Sequence, residues 1–174
     1  MSVLNIPEKG IVIENFTEIK DFFKKRGVFC DKWITDIDIA EDADQECILK
    51  AYEPSLKPFM EKGGYTTADV ISVNSATNGV EDLREKFIKE HTHTDDEVRF
   101  MVDGQGIFWF NLEGDDPVFS LVCKKGTIIS VPANTKHWFD MGTTPYVKAI
   151  RIFKDEKGWE ANYTNSGIEK EYVT

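Results

Sequence analysis

The hydrophobic pattern predicts a helical front half and a strand-rich back half. Asn15, with Glu18 three residues later, is typical of a helix N-terminus, because an asparagine side chain can accept hydrogen bonds from free backbone amides. Gly27 is typical of the end of the same helix. Further helices are predicted over 44–52 with a stop at Pro54, over 56–62 with a stop at Gly63-Gly64, and over 78–89.

In the back half, turn residues at 103–106 and 113–117 separate short segments that are rich in β-forming residues. The predicted strands are 97–102, 107–112, 118–123, 127–131 and 146–153, and β-branched residues favour another over 65–73. Short strands at close spacing favour an antiparallel barrel or sandwich. We therefore predict one mostly β domain with α-helices (α+β) over 1–174: a helical front over about 1–89, a β core over about 65–160 and a polar, loosely ordered tail over about 161–174.

Composition narrows the possible partners. A hydrophobic content of 41% with 30% charged residues is that of an ordinary soluble globular protein. The apolar runs fall far short of the roughly 20 residues that span a bilayer, and no secretory signal is visible. A net charge of −10 argues against nucleic acid and against an anionic membrane surface as partners. We expect a cytoplasmic monomer acting on a small molecule.

The three cysteines, Cys30, Cys47 and Cys123, are widely spaced and form no CxxC motif. We interpret them as buried free thiols in a reducing compartment.

The histidines suggest the chemistry. The chain has three, and all lie between residues 91 and 137. On an extended strand His91, His93 and Glu97 point the same way, because alternate residues share a face. Three imidazoles and one carboxylate are a coherent ligand set for a divalent transition metal, whereas the alternative is a chance cluster on a solvated strand. Because no other histidine is present, we predict a metal site at His91, His93, Glu97 and His137.

The segments around these histidines resemble the paired motifs of the cupin superfamily, whose fold is a jelly-roll β-barrel with the metal inside. The first motif matches throughout, from His91 to Gly104. The second matches at Gly126, Pro132 and His137, and departs at Asn134, where cupins usually have glycine. Asparagine tolerates the left-handed backbone conformation that such a turn needs.

Segments 90–100 and 131–142 are similar, more specifically, to the acireductone dioxygenases, and 149–153 with Gly158-Trp159 continues the likeness. The resemblance implies one Fe²⁺ or Ni²⁺ ion on the four predicted ligands, and an acireductone and O₂ as the small-molecule partners. It also implies a role in methionine salvage, in which the products depend on the metal. The sequence does not choose between the two metals, because both accept this ligand set.

Other residues near the ligands have two readings each. Arg99 and, with weaker support, Arg151 either hold an anionic substrate or form structural salt bridges, and the resemblance favours the first reading for Arg99. Glu90 is either a general base or a partner of an imidazole, and Asp95 and Asp96 are turn or supporting groups. Aromatic residues that either line a pocket for a thioether tail or belong to the core are Phe100, Phe139 and Trp159.

Four ligands leave two positions of an octahedral metal open, so a substrate with two adjacent oxygens can chelate there. Three alternatives stay open at this point. They are another cupin dioxygenase or isomerase, a non-enzymatic cupin that binds a ligand through its metal, and a purely structural tetrahedral zinc site.

Overall fold

The computed structural model describes residues 1–33, 37, 39–40 and 42–172. The helices are Phe16–Lys24 (α1), Gln45–Gly63 (α2) and Val80–Phe87 (α3), with short 3-10 helices at Pro7–Lys9, Glu156–Trp159 and Ile168–Glu171. The strands are Val3–Ile6 (β1), Ile11–Ile13 (β2), Phe29–Lys32 (β3), Thr67–Asn74 (β4), His91–Thr92 (β5), Glu97–Phe110 (β6), Phe119–Lys124 (β7), Thr127–Val131 (β8), His137–Asp140 (β9), Tyr146–Phe153 (β10) and Asn162–Tyr163 (β11).

The strands form one hydrogen-bonded sheet, and β6 divides it into two parts, the first and the second sheet, because its two halves have different neighbours. Its first part lies between β8 and β10, and β3 and β4 extend this first sheet on either side. Its second part lies between β7 and β9, with β1 and β2 beyond β7 and with β5 and β11 beyond β9. The result is a jelly-roll arrangement, which confirms the predicted mostly β fold with a helical front. The described pairings do not close the sheet into a continuous barrel.

The buried side chains of β6 lie in three layers. Met101 and Phe108 lie in the main core between the two sheets. Phe100 lies on the opposite face of the first sheet, in a second cluster that α2 covers. Trp109 lies on the outer face of the second sheet, where its ring stacks on Trp138 at 5.7 Å between centroids. Met101 and Phe108 are seven residues apart, so strict alternation would place them on opposite faces. The register of β6 against β10 shifts between Met101 and Asp103, and this irregularity lets both side chains face the main core.

The prediction of two strands separated by a turn at 103–106 is wrong, because β6 runs straight through this segment. Glycine is needed at positions 104 and 106 because atoms of other segments approach the strand too closely for a side chain. A Cβ on Gly104 would lie 1.9 Å from the carbonyl oxygen of Tyr146, and a Cβ on Gly106 would lie 2.1 Å from Cζ of Phe139. Gly104 also has a φ of 71°, which favours glycine. Glycine in a strand interior can therefore mark a bend or a tight contact as well as a turn.

The prediction that one helix ends at Pro54 and another begins at Leu56 is also wrong, because α2 continues from Gln45 to Gly63 with Pro54 and Pro58 inside it. Both prolines are exposed, so water can bind the carbonyl groups that lose a helical partner. On the opposite face Ile48, Tyr52 and Leu56 are buried against the first sheet at a spacing of four residues. This packing offsets the cost of the prolines.

Two predictions for helices in the front part are confirmed, but this part also contains strands β1, β2 and β3, which were not predicted. Asn15 caps α1, because its Oδ1 accepts hydrogen bonds from the amides of Thr17 and Glu18 at 2.9 and 3.3 Å. The helix predicted over 78–89 is α3. Within the part of the chain that the structure describes, no helix combines the length and the apolar character needed to cross a membrane.

The cysteines are free thiols, as predicted, but Cys47 is exposed at the start of α2 and is therefore not the buried thiol that we expected. Cys30 and Cys123 are buried. Burial raises the pKa of the Cys30 thiol to about 12, which keeps it protonated and unreactive.

The C-terminal segment is attached to the domain, which corrects the expectation of a loosely ordered tail. Asn162–Tyr163 adds a strand beside β5, and Ile168 and Tyr172 pack on the outer tryptophan cluster. The hydroxyl of Tyr172 donates a hydrogen bond to Glu8 at 2.5 Å, and this bond joins the two ends of the described chain.

Candidate metal centre

Four side chains that can each offer a ligand atom converge between the two sheets. They are His91, His93, Glu97 and His137; all are buried, and their ligand atoms lie within 4.8 Å of one another. Oε2 of Glu97 is 3.0 Å from Nε2 of His93 and 2.9 Å from Nε2 of His137. The structure therefore brings together the whole predicted ligand set.

The sequence pattern suggested that His91, His93 and Glu97 share one strand, but in the structure they do not. His91 lies on β5, which is two residues long, His93 follows it, and Glu97 begins β6 after a bend. The bend is held from outside, because the carbonyl of Gly158 accepts hydrogen bonds from the amides of Thr94 and Asp95 at 3.1 and 3.3 Å. His137 begins β9 and is paired with His91 across the sheet. Alternation along a strand predicted the right residues for the wrong geometric reason.

The turn before His137 contains Asn134, which was expected to adopt the left-handed backbone conformation that this turn needs. Asn134 has a φ of 62°, in the left-handed region that asparagine tolerates, and its amide donates to the carbonyl of His93 at 2.8 Å. The prediction for Asn134 is confirmed. The bond to His93 ties the two motifs together.

Backbone carbonyls fix the tautomer of each imidazole. Nδ1 of His91 is 2.7 Å from the carbonyl oxygen of Lys89, and Nδ1 of His137 is 2.8 Å from that of Thr135. Nδ1 of His93 is 3.2 Å from the carbonyl oxygen of Glu160. A carbonyl can only accept, so Nδ1 carries the proton and a neutral ring presents the bare lone pair of Nε2 to the centre. Each histidine is held as a metal ligand requires.

The chemistry of these ligand atoms suits a cation. Two bare Nε2 atoms and a carboxylate oxygen are all acceptors, and at about 3 Å they repel unless a proton or a metal ion lies between them. The separations of 2.9 and 3.0 Å are short enough for one ion to contact Glu97, His93 and His137 together.

The electrostatics of the centre favour an ionised Glu97 and a neutral His91. Burial raises the pKa of Glu97, but the positive charge of Arg99, the largest opposing influence, helps to hold that pKa well below its usual range. Nε of Arg99 lies 2.7 Å from Oε1 of Glu97, in a close ion pair without the angle of a hydrogen bond. Burial, helped by the neighbouring His137, lowers the pKa of His91 to about 4, so this ring is neutral near pH 7. Metal ligands need these protonation states.

A cavity of about 250 Å³ lies against the centre. Arg99 forms part of its wall, and its guanidinium lies 4.4 Å from the ring centroid of Phe139. Trp159 forms another part, and its Nε1 donates to the carbonyl of Asp96 at 2.9 Å. Phe139 and Trp159 therefore lie where a pocket for an apolar group was predicted. The lining residues also include Phe87, Arg151 and Tyr163.

Arg151 lines the same cavity, but its salt-bridge partner is Asp69 and not Glu97. It lies opposite Arg99 across β6 and β10, and its Nε and Nη2 donate to the carboxylate of Asp69 on β4 at 2.8 and 2.5 Å. Each arginine thus has its own carboxylate, which offsets the repulsion between two adjacent cations. Each arginine makes a structural salt bridge and also lines the cavity, and the role of either in holding an anionic substrate stays a prediction.

Two predicted site residues lie elsewhere. Phe100 is on the opposite face of β6 from Glu97 and Arg99, and it packs under α2 with its ring 4.8 Å from that of Tyr52, so it lines no part of the cavity. The Glu90 carboxylate accepts hydrogen bonds from Asn111, Thr164 and Ser166 at 2.7, 2.6 and 2.8 Å. Burial raises the pKa of Glu90, but these three donors outweigh it and lower that pKa, which suits an anchor for the C-terminal segment and not a general base.

Sequence reasoning missed three residues. Phe87 lies in the helix predicted over 78–89, and its side chain lines the cavity. Asp69 lies in a strand without a motif, and only the register of β4 with β10 reveals its pairing with Arg151. Tyr163 lies in the segment that was predicted to be a polar tail, but the centroid of its ring lies 6.1 Å from that of the His91 ring.

A jelly-roll fold with a buried site of three histidines and one glutamate defines a cupin-type metal protein. The model of the ARD/ARD' family matches residues 12–161, and the chain belongs to that family. It is 47% identical over 172 residues to the acireductone dioxygenase of Picosynechococcus sp., covering 99% of this chain and 97% of that one. It is 44% identical over 163 residues to that of Pseudomonas fluorescens, covering 94% and 88%.

A solved structure agrees with the sequence comparison. The chain superposes with a TM-score of 0.84 on acireductone dioxygenase from Bacillus anthracis, which was solved with a cadmium ion in its active centre. The two chains are 33% identical, and the match covers 94% of this chain and 98% of the other.

Proposed function

We propose that the chain is an acireductone dioxygenase that cleaves 1,2-dihydroxy-3-keto-5-methylthiopentene with O₂ in methionine salvage. With Fe²⁺ the products are formate and 4-methylthio-2-oxobutanoate. With Ni²⁺ they are carbon monoxide, formate and 3-methylthiopropanoate. In both reactions the atoms of substrate and O₂ are all accounted for in the products, so no further reductant is needed.

One observation carries this proposal: a buried set of four ligand atoms borders a cavity whose walls are both cationic and aromatic. His91, His93, Glu97 and His137 would hold one divalent ion. When bound, the ion supplies Lewis acidity, which lowers the pKa of the substrate's enediol hydroxyls and fixes their orientation. The relative with cadmium in its active centre supports a single divalent site.

The protein's own residues orient the substrate. Arg99 and Arg151 present two guanidinium groups to the cavity, and they favour the ionised form of an enediol there. Phe87, Phe139 and Trp159 offer an apolar wall for the methylthio end of the substrate. The remaining space of about 250 Å³ suits a small molecule and excludes bulk water around it.

The test is product analysis. Metal-free protein is loaded without oxygen with one equivalent of Fe²⁺ or of Ni²⁺, and acireductone and O₂ are then added. We expect formate and the keto acid with iron, and carbon monoxide with nickel. The control is His93→Ala, which removes one ligand atom; it should keep its fold, measured by circular dichroism, and lose turnover.

Substrate decay no faster than in protein-free buffer, with either metal, would refute the dioxygenase. Loss of folding in His93→Ala would instead indicate a structural metal.

A further inference from the structure

The bend between His93 and Glu97 carries two carboxylates that bond to neighbouring segments and contribute no ligand atom to the metal set. Oδ1 of Asp95 accepts a hydrogen bond from the amide of Asp96 at 2.8 Å, which closes a local turn. Oδ2 of Asp95 accepts from the amides of Lys154 and Asp155, each at 3.2 Å. Asp95 therefore attaches the bend to the segment that follows β10.

Asp96 makes the wider set of contacts. Its Oδ1 accepts from the amide of Ala133, in the loop before His137, at 3.1 Å. Its Oδ2 accepts from the hydroxyl of Tyr65 at 3.3 Å and from Nζ of Lys154 at 3.1 Å. Its carbonyl accepts from Nε1 of Trp159 at 2.9 Å. Asp96 therefore connects three parts of the site: the loop before His137, the segment after β10, and Trp159 in the wall of the cavity.

These contacts lie next to the shortest distances of the metal centre. Asp96 directly precedes Glu97, whose Oε2 lies 3.0 Å from Nε2 of His93. A bend without outside contacts would sample many separations of these two atoms, and binding an ion would then have to order it. The segment after β10 also supplies the Glu160 carbonyl that holds Nδ1 of His93. Asp95 and Asp96 thus bind the segment that fixes the orientation of His93.

We propose that Asp95 and Asp96 are positioning residues that set the separation of His93 and Glu97 and thereby raise the affinity for the divalent ion. This role deepens the proposed function, and it rests on that function only in requiring that the centre binds a divalent metal. Groups that orient metal ligands in this way typically change metal affinity by about 10- to 100-fold when they are removed.

The test measures metal affinity, not turnover. Metal-free wild type, Asp96→Ala, Asp96→Asn and the control Asp115→Ala are titrated with Ni²⁺ against a coloured chelator, well below their unfolding temperatures. Asp115 is an exposed carboxylate in the loop between β6 and β7, so its variant matches the change in net charge. We expect the Kd to rise about 10- to 100-fold in Asp96→Ala and less in Asp96→Asn, which can still accept from Ala133. Asp115→Ala should match wild type.

A structural role alone gives a different result. If Asp96 only stabilises the fold, Asp96→Ala lowers the unfolding temperature and leaves the Kd for Ni²⁺ unchanged, and this overturns the proposal. Wild type that binds no Ni²⁺ refutes the metal centre itself, and with it this role.

Milder variants cover the case in which Asp96→Ala does not fold. Tyr65→Phe and Lys154→Met each remove one contact to Asp96, and each should raise the Kd by a smaller factor. If Lys154 acts through Asp96, combining Lys154→Met with Asp96→Asn adds little to the larger single effect. Unchanged Kd values in both milder variants would contradict the proposal.

Discussion

Replacing Arg99 with methionine should weaken the fold and, at the same time, tighten metal binding. Arg99 and Glu97 are both buried, and Nε lies 2.7 Å from Oε1. At an effective dielectric constant of about 20 the attraction at this distance is about 6 kcal/mol, and desolvation of the two charges offsets most of it. Leaving the buried carboxylate without its cation costs about 3–5 kcal/mol. A metal ion on the same carboxylate supplies positive charge, so the metal-loaded protein should lose less.

The assay is urea unfolding of the metal-free and the Ni²⁺-loaded protein at pH 7. Arg99→Met should lower the free energy of unfolding of the metal-free protein by about 3–5 kcal/mol. Because the loaded protein loses less, the variant must bind Ni²⁺ more tightly, by a factor of ten for each 1.4 kcal/mol or so of difference. The control is Lys20→Met, which breaks an exposed pair with Asp31 far from the centre in sequence and should cost less than about 1 kcal/mol in both forms.

Two results would refute this reasoning about Arg99. One is a loss below about 1 kcal/mol in the metal-free protein, which would mean that the pair contributes no more than a surface salt bridge. The other is an equal loss in both forms, which would mean that the metal does not share the carboxylate with Arg99.

Three further predictions follow from the same geometry. The pKa of His91 is about 4 in the folded state and 6.5 ordinarily, so the imidazole binds a proton more readily in the unfolded chain. The free energy of unfolding of the metal-free protein should therefore fall by about 3 kcal/mol as the pH falls from about 6.5 to 4. In urea titrations at the two pH values, His91→Gln should reduce that loss. Gly104→Ala places a Cβ against the backbone of Tyr146 at positive φ and should lower the free energy of unfolding by more than about 1 kcal/mol. Gly106→Ala places a Cβ against the side-chain ring of Phe139 and should mainly raise KM for the substrate. Equal changes in the free energy of unfolding and in KM for the two variants would contradict this. Glu90→Gln should expose the C-terminal segment to proteolysis while kcat stays near wild type, and a collapse of kcat with an intact segment would restore Glu90 as a general base.

Much of the site was predictable because the histidines are few and their spacing is informative. The ligand set needed only residue types with affinity for metals, and the cap at Asn15 and the turn at Asn134 follow from backbone preferences that act locally. Phe100 was an avoidable error. It is three residues after Glu97 and one after Arg99, so alternation alone places it on the other face of the strand.

Other features depend on packing between distant segments. Gly104 and Gly106 signal a turn by composition, and only the positions of Tyr146 and Phe139 show why glycine is needed in a continuous strand. Pro54 breaks a helix by local rules, and burial of the opposite face overrides them. The partners of Glu90 lie more than 20 residues away along the chain, so no local pattern separates an anchoring carboxylate from a base.

The most direct test of the central claim is a metal titration of turnover. Metal-free protein receives Fe²⁺ in steps without oxygen, and acireductone decay is followed after O₂ is added. One metal on four protein ligands, acting on substrate in the adjacent cavity, predicts activity that rises linearly and stops rising at one equivalent per chain. Decay that stays at the protein-free rate across the titration would contradict it.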